Sequence, residues 1–199
     1  MTWILVGYYP KRRMTRLNWK SPYPEYPDAV FPSPQPVEEI CSVSGCVAHG
    51  PRTPMEEVPF NQFGGYDAPA TAWQAVEPGL RSEFDLFAFR IAPILFHNGE
   101  EEPLELPSLD LEPVPTTFVC LGYDAVELTY GQCLGCSPLS CNGQTGEGKM
   151  NRYCLVNTQQ EGLDLARRFS ITRPEPGPYC AVEVWRDARG AESTPAIPQ

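Results

Sequence analysis

The sequence feature that most constrains this chain is a cluster of cysteines between Cys133 and Cys154. Four of its eight cysteines fall there, with the spacing Cys-x2-Cys-x4-Cys-x12-Cys. Thiols at that density in a loop-rich segment indicate a metal site, a disulfide framework or a redox centre. Zinc takes four soft or borderline ligands in a tetrahedron. The sequence therefore predicts a structural zinc site with Cys133, Cys136, Cys141 and Cys154 as ligands.

A second spacing offers an alternative set of zinc ligands. Cys41-x4-Cys46 and Cys136-x4-Cys141 both begin with Cys-Ser, and two such loops side by side would present four thiolates. Beyond these two loops the sequence shows no convincing repeat. Disulfides, and packing of the cysteines as small buried hydrophobic residues, are the other interpretations.

The net charge of −10 limits the choice of partner. Nucleic acids and anionic membranes attract cationic surfaces, so we expect no general binding to either, and a basic protein partner is favoured. Lysines and arginines between Lys11 and Lys20 form a basic patch, which we interpret as a solvated loop carrying counter-charge.

The sequence indicates a cytoplasmic protein. No segment approaches the roughly 18 apolar residues of a membrane span. The N-terminal apolar run precedes its positive charges, which is the reverse of a secretory signal. In the cytoplasm thiols stay reduced, and this favours metal binding over disulfides.

Strand signals are distributed over one α+β domain, expected to span residues 1–187 with a polar tail at 188–199. Phe84–Phe96 predicts a central strand that is interrupted at Pro93 and followed by an Asn98-Gly99 turn. Asp67 is expected to cap a short helix. Three long loops are expected: a proline-rich loop at 21–36, an acidic loop at 100–115 whose leucines touch the core, and a loop rich in cysteine and glycine at 131–151.

The C-terminal third carries the clearest fold signal. A short strand at Tyr153–Val156, a helix from the capping box Thr158-x-x-Glu161 to about Ser170, and a strand at Tyr179–Trp185 indicate a βαβ unit with parallel strands. The predicted fold class is therefore α+β, a single domain with a mixed sheet, few helices and long proline-rich loops.

No catalytic constellation accompanies these features. We therefore expect a non-enzymatic module that binds another protein, with loops fixed by clustered cysteines and a structural zinc. The alternative function is a thiol- or metal-dependent enzyme. It would use Cys136, Cys141 or Cys46 together with His49, one of two histidines in the chain.

Overall fold

The computed structural model describes residues 1–17, 36–43, 58–129, 133–141, 149–172, 174 and 176–189, with the backbone alone for 129, 133 and 141. The strands are β1 (Ile4–Arg12), β2 (Phe84–Ile91), β3 (Ile94–His97), β4 (Glu100–Pro103), β5 (Phe118–Thr129), β6 (Cys133–Leu134) and β7 (Tyr179–Asp187). The helices are α1 (Pro69–Gln74), α2 (Pro138–Cys141) and α3 (Gln159–Thr172), and a 3₁₀ helix spans Pro78–Glu83. None of the described helices is long and apolar enough to cross a membrane. One sheet with a few helices confirms the α+β class.

Most of the predicted proline-rich loop, much of the cysteine- and glycine-rich loop and most of the tail lie outside the described residues. The acidic loop expected at 100–115 is wrong over its first four residues, which form β4 (Glu100–Pro103), and a loop follows from 104 to 115. Leu104, Leu106 and Leu109 pack against the core, as expected from the sequence.

The sheet is antiparallel at every described strand pair, so the expectation of a mixed sheet is wrong. Its order is β1-β2-β7-β3-β4, and β5 pairs with β7 and β6. The predicted first strand of the βαβ unit is reduced to one bridge, between Val156 and Tyr123. Tyr123 also pairs with Glu183 of β7. β5 therefore lies between the segment at Val156 and β7, and is antiparallel to both. That segment and β7 run in the same direction but are not neighbours.

The chain contains two copies of one structural unit. A bulged strand, a Cys-x4-Cys loop, an asparagine turn, a helix and a second strand follow one another in the first repeat (residues 4–91) and in the second repeat (residues 118–187). The first repeat pairs β1 with β2, and the second pairs β5 with β7. The expectation of no repeat beyond the cysteine loops is therefore wrong.

The strand pairing has the same register in both repeats. Gly7 pairs with Phe89 in the first repeat, and Gly122 pairs with Val184 in the second. Both strands have their bulge directly before this glycine, and the register then continues without a further shift. Phe89 and Val184 pair with each other where β2 meets β7. An approximate twofold axis therefore passes between β2 and β7.

An asparagine turn contacts each bulge in the same way. Asn61 Nδ2 donates to Val6 O at 3.0 Å, and Asn151 Nδ2 donates to Leu121 O at 2.8 Å. Each Oδ1 accepts two backbone N–H groups from its own turn. The bulge glycines have φ angles of +143° and +141°, a region that favours glycine. The asparagines thus satisfy backbone groups that the bulges leave out of the strand ladder.

The helices of the two repeats pack on one face of the sheet, called the helix face. Ala72 of α1 belongs to the same buried cluster as Tyr8, and Gly162 of α3 lies against the equivalent Tyr123. A small residue therefore lets each helix approach its strand. Asp67 does not cap α1, because the N-cap is Ala68 and makes no side-chain hydrogen bond.

The opposite face of the sheet, called the loop face, is covered by irregular segments. Cys41, Val43, Phe63 and Leu155 pack there against apolar side chains of β2, β5 and β7. The β3–β4 hairpin follows the first repeat and precedes the second, with the turn at Asn98-Gly99 that the sequence predicts.

Candidate functional site

The two Cys-x4-Cys loops meet on the loop face. Ser42 Oγ donates to Ser140 Oγ at 2.6 Å, and both hydroxyls are buried. Ser42 directly follows Cys41, and Ser140 directly precedes Cys141. The sequence-predicted loops are therefore joined through their serines.

One buried carboxylate holds both loops. Asp124 of β5 accepts hydrogen bonds from Val43 N at 2.8 Å, Ser137 Oγ at 2.7 Å and Ala125 N at 2.8 Å. Burial raises the pKa of Asp124 to about 6, while these hydrogen bonds and the nearby Lys11 ammonium favour the charged form. Asp124 therefore ties a loop of the first repeat to a loop of the second.

A buried ammonium accompanies this carboxylate. Lys11 Nζ donates to the Ser42 carbonyl and lies 5.9 Å and 5.8 Å from the ring centroids of Phe87 and Phe89. Aromatic faces attract cations, so the two rings help to stabilise an ammonium group that is removed from water. The interpretation of the basic patch as a solvated loop is wrong for Lys11, which is 5% exposed.

A network of ion pairs lies beside this cluster. Arg186 Nη1 lies 2.8 Å and 2.9 Å from the two Glu39 carboxylate oxygens and 3.6 Å from Asp85 Oδ2. Arg13 also donates to Asp85, at 3.0 Å and 2.6 Å. Since each carboxylate has a guanidinium partner, we assign this network to holding the 36–43 segment on the sheet.

Three of the described thiols, Cys41, Cys120 and Cys180, do not have the property of a catalytic nucleophile. Burial raises the pKa of Cys41 well above its ordinary value, and burial also raises the pKa of Cys120 and Cys180. A reactive thiol needs the opposite shift. Cys154 Sγ, also buried, lies 3.8 Å from the Leu139 carbonyl of α2.

Both predicted zinc sets extend beyond the described side chains. Cys46 and His49 lie outside the described residues, and Cys133 and Cys141 are described by backbone alone. Cys136 is half-buried. Among the side chains that the structure describes, no three histidine, cysteine or acidic residues group to hold a metal ion. Both zinc sets stay predictions.

A second candidate site is β4, an exposed acidic strand at the edge of the sheet. Glu100, Glu101 and Glu102 are all exposed. Among the described strands β3 alone pairs with β4, so the outer edge of β4 is open within the part of the chain that the structure describes. Arg167 of α3 pairs with Glu101, and His97 Nδ1 lies 3.7 Å from Glu102 Oε1. An open edge of this charge can accept an extended basic segment.

No family model, curated protein or solved structure matches the chain. Sequence reasoning missed Asp124 and Lys11 as the charged groups around which the cysteine loops assemble. Their only sequence signal is a charged residue within a mainly apolar strand.

Proposed function

We propose that the protein is a non-enzymatic module that binds another protein, and that a basic segment of the partner adds to the outer edge of β4. The observation that carries this proposal is the open, exposed acidic strand Glu100–Pro103. An open edge offers backbone N–H and C=O groups to an extended peptide, and its carboxylates favour lysine and arginine. The net charge of −10 means that the chain as a whole also favours a basic partner.

Charge also disfavours pairing of two copies through this edge. Two β4 strands side by side would place glutamates near glutamates, and like charges directly opposite destabilise a strand pair. The hairpin lies outside both repeats, so the twofold arrangement of β1, β2, β5 and β7 does not depend on these glutamates. The repulsion between glutamates supports recognition of a different, basic protein.

Binding of a lysine-rich peptide tests this proposal. A fluorescent peptide of alternating lysine and threonine should bind the full chain, and raised salt should weaken its binding. Replacing all three β4 glutamates by glutamine should weaken binding about tenfold or more, which is about 1.4 kcal/mol. The matched control carries Glu77→Gln, Asp110→Asn and Asp164→Asn, and should bind within about twofold of the wild type. An equal loss in both variants would contradict a site on β4.

We also propose that one structural zinc fixes the cysteine loops. The contact between Ser42 and Ser140 supports a shared site, because it joins the loops that carry the alternative ligands. The first set is Cys133, Cys136, Cys141 and Cys154. The alternative set is Cys41, Cys46, Cys136 and Cys141. A cytoplasmic location, where thiols stay reduced, belongs to this proposal.

Elemental analysis of the freshly purified chain tests the zinc proposal. We expect one zinc per chain. Loss of zinc in Cys133→Ser alone would identify the first set, and loss in Cys46→Ser alone would identify the second. A zinc-free chain with one rapidly alkylated thiol would instead favour the alternative function, an enzyme using Cys46, Cys136 or Cys141 with His49.

A further inference from the structure

The hydrogen bonding of the β3–β4 hairpin determines which backbone groups of β4 face outward. Leu104 N donates to Pro93 O at 3.0 Å. This bond marks the position of Leu104 as hydrogen-bonded, and such positions recur at every second residue of an antiparallel pair. Glu102 and Glu100 therefore direct their backbone groups to β3. Glu101, between them, directs its N–H and C=O to the open side.

The glutamate side chains of β4 divide between the two faces of the sheet. Glu100 and Glu102 share one face, because side chains alternate along a strand. His97 Nδ1 approaches Glu102 on that face at 3.7 Å. Glu101 lies on the other face, where Arg167 of α3 pairs with it. Among the described residues, Glu100 and Glu102 have no lysine or arginine partner, whereas Glu101 has one.

We infer that β4 selects an extended partner segment with basic residues at alternate positions, basic–x–basic, paired antiparallel to β4. Residue x lies opposite Glu101 and exchanges two backbone hydrogen bonds with it. Its two neighbours lie opposite Glu100 and Glu102, so both basic side chains reach an available carboxylate. Two adjacent basic residues would instead send one charge to the face where Arg167 already pairs with Glu101. This inference rests on the proposed function and adds the spacing of the partner to it.

Three fluorescent nine-residue peptides test this spacing on the full chain. The first contains Lys-Thr-Lys in a threonine and serine background, and the second has the same composition with the two lysines adjacent. We expect the first to bind about fivefold more tightly. The third is the first peptide with an N-methyl group on the central threonine. It should bind no better than the second, because it cannot donate to the Glu101 carbonyl.

Two protein variants of equal charge separate this inference from the proposed function. Glu100→Gln with Glu102→Gln should remove the preference for alternating lysines. Glu101→Gln with Glu77→Gln should keep it. Equal affinity of the two unmethylated peptides for the wild type, with binding still lost when all β4 glutamates are replaced, would overturn the spacing alone. Absence of binding by every peptide would overturn both the spacing and the proposed function.

Discussion

Compared strand by strand, the first and second repeats share their pairing register and differ in the side chains that they bury beneath the loops. The position of Asp124 in the second repeat is occupied in the first by Tyr9, whose hydroxyl donates to Phe63 O at 3.2 Å. The position of Arg186 is occupied by Ile91. The bulge, the asparagine turn and the tyrosine beneath the helix thus occur twice, whereas these buried charges occur once. The duplicated elements specify the sheet, and the single-copy charges specify where the loops lie.

Replacing the bulge glycine by alanine disrupts an element that both repeats share. The substitution in the second repeat should destabilise the chain more than the substitution in the first. A Cβ at Gly122 would lie 2.5 Å from Val156 O, whereas a Cβ at Gly7 would lie 3.0 Å from Gly65 Cα. Both positions also have a positive φ that strains alanine. We expect Gly122→Ala to lower the free energy of unfolding by about 3 kcal/mol or more, and Gly7→Ala by about 2 kcal/mol. Urea denaturation measures both.

Gly79→Ala is the matched control for these two variants. A Cβ at Gly79 meets no atom within 4 Å. Its effect on the free energy of unfolding should stay within about 0.5 kcal/mol. If Gly122→Ala were as mild as Gly79→Ala, the bulge would not be an essential part of the repeated unit.

Asp124→Asn tests the charge that distinguishes the second repeat. An amide has one acceptor oxygen, so its nitrogen would face an N–H or O–H group that now donates to the carboxylate. We expect a loss of about 2 kcal/mol at pH 7, since a buried donor is left without an acceptor. Tyr9→Phe is the control at the equivalent position of the first repeat, and should cost about 1 kcal/mol. Urea denaturation at pH 7 compares the two variants.

The pH dependence gives Asp124 a second signature. Burial raises its pKa from 3.8 to about 6, so the folded chain holds this proton more tightly than the unfolded chain. The resulting stabilisation is complete below about pH 4 and is lost as the pH rises through about 6. The deficit of Asp124→Asn relative to the wild type should therefore grow as the pH falls from 7 to 4. A deficit that shrinks over this range would contradict the raised pKa.

Local chemistry made part of the fold predictable from sequence. In the capping box, Glu161 Oε2 accepts from Thr158 N at 2.9 Å and Glu161 N donates to Thr158 Oγ1 at 3.2 Å. The strand break at Pro93 and the turn at Asn98-Gly99 are also as predicted. Each of these features depends on residues that are neighbours in the chain.

The repeat was not predicted, because its matching residues are separated by loops of unequal length. Gly7 and Asn61 are farther apart in the chain than Gly122 and Asn151. A Gly-Tyr pair, a Cys-x4-Cys loop and an Asn-x-aromatic turn nevertheless recur in the same order, and this was the available signal. The site was harder to predict. Asp124 is buried by loops that are distant in the chain. The alternation of side chains along β5 does not predict this burial.

The helix N-termini give the smallest difference between the repeats, and it can be altered in both directions. α3 has the capping box at Thr158, whereas the N-cap of α1 is Ala68, with extended backbone and no side-chain hydrogen bond. We expect Thr158→Ala to lower the free energy of unfolding by about 1 kcal/mol, and Ala68→Ser to raise it by about 0.5 kcal/mol. Thermal unfolding of both variants and their double mutant measures these changes, which should add because the two helices belong to separate repeats. If Ala68→Ser gave no gain, the missing cap would not limit the stability of α1, and its packing of Ala72 beside Tyr8 would be the dominant contribution.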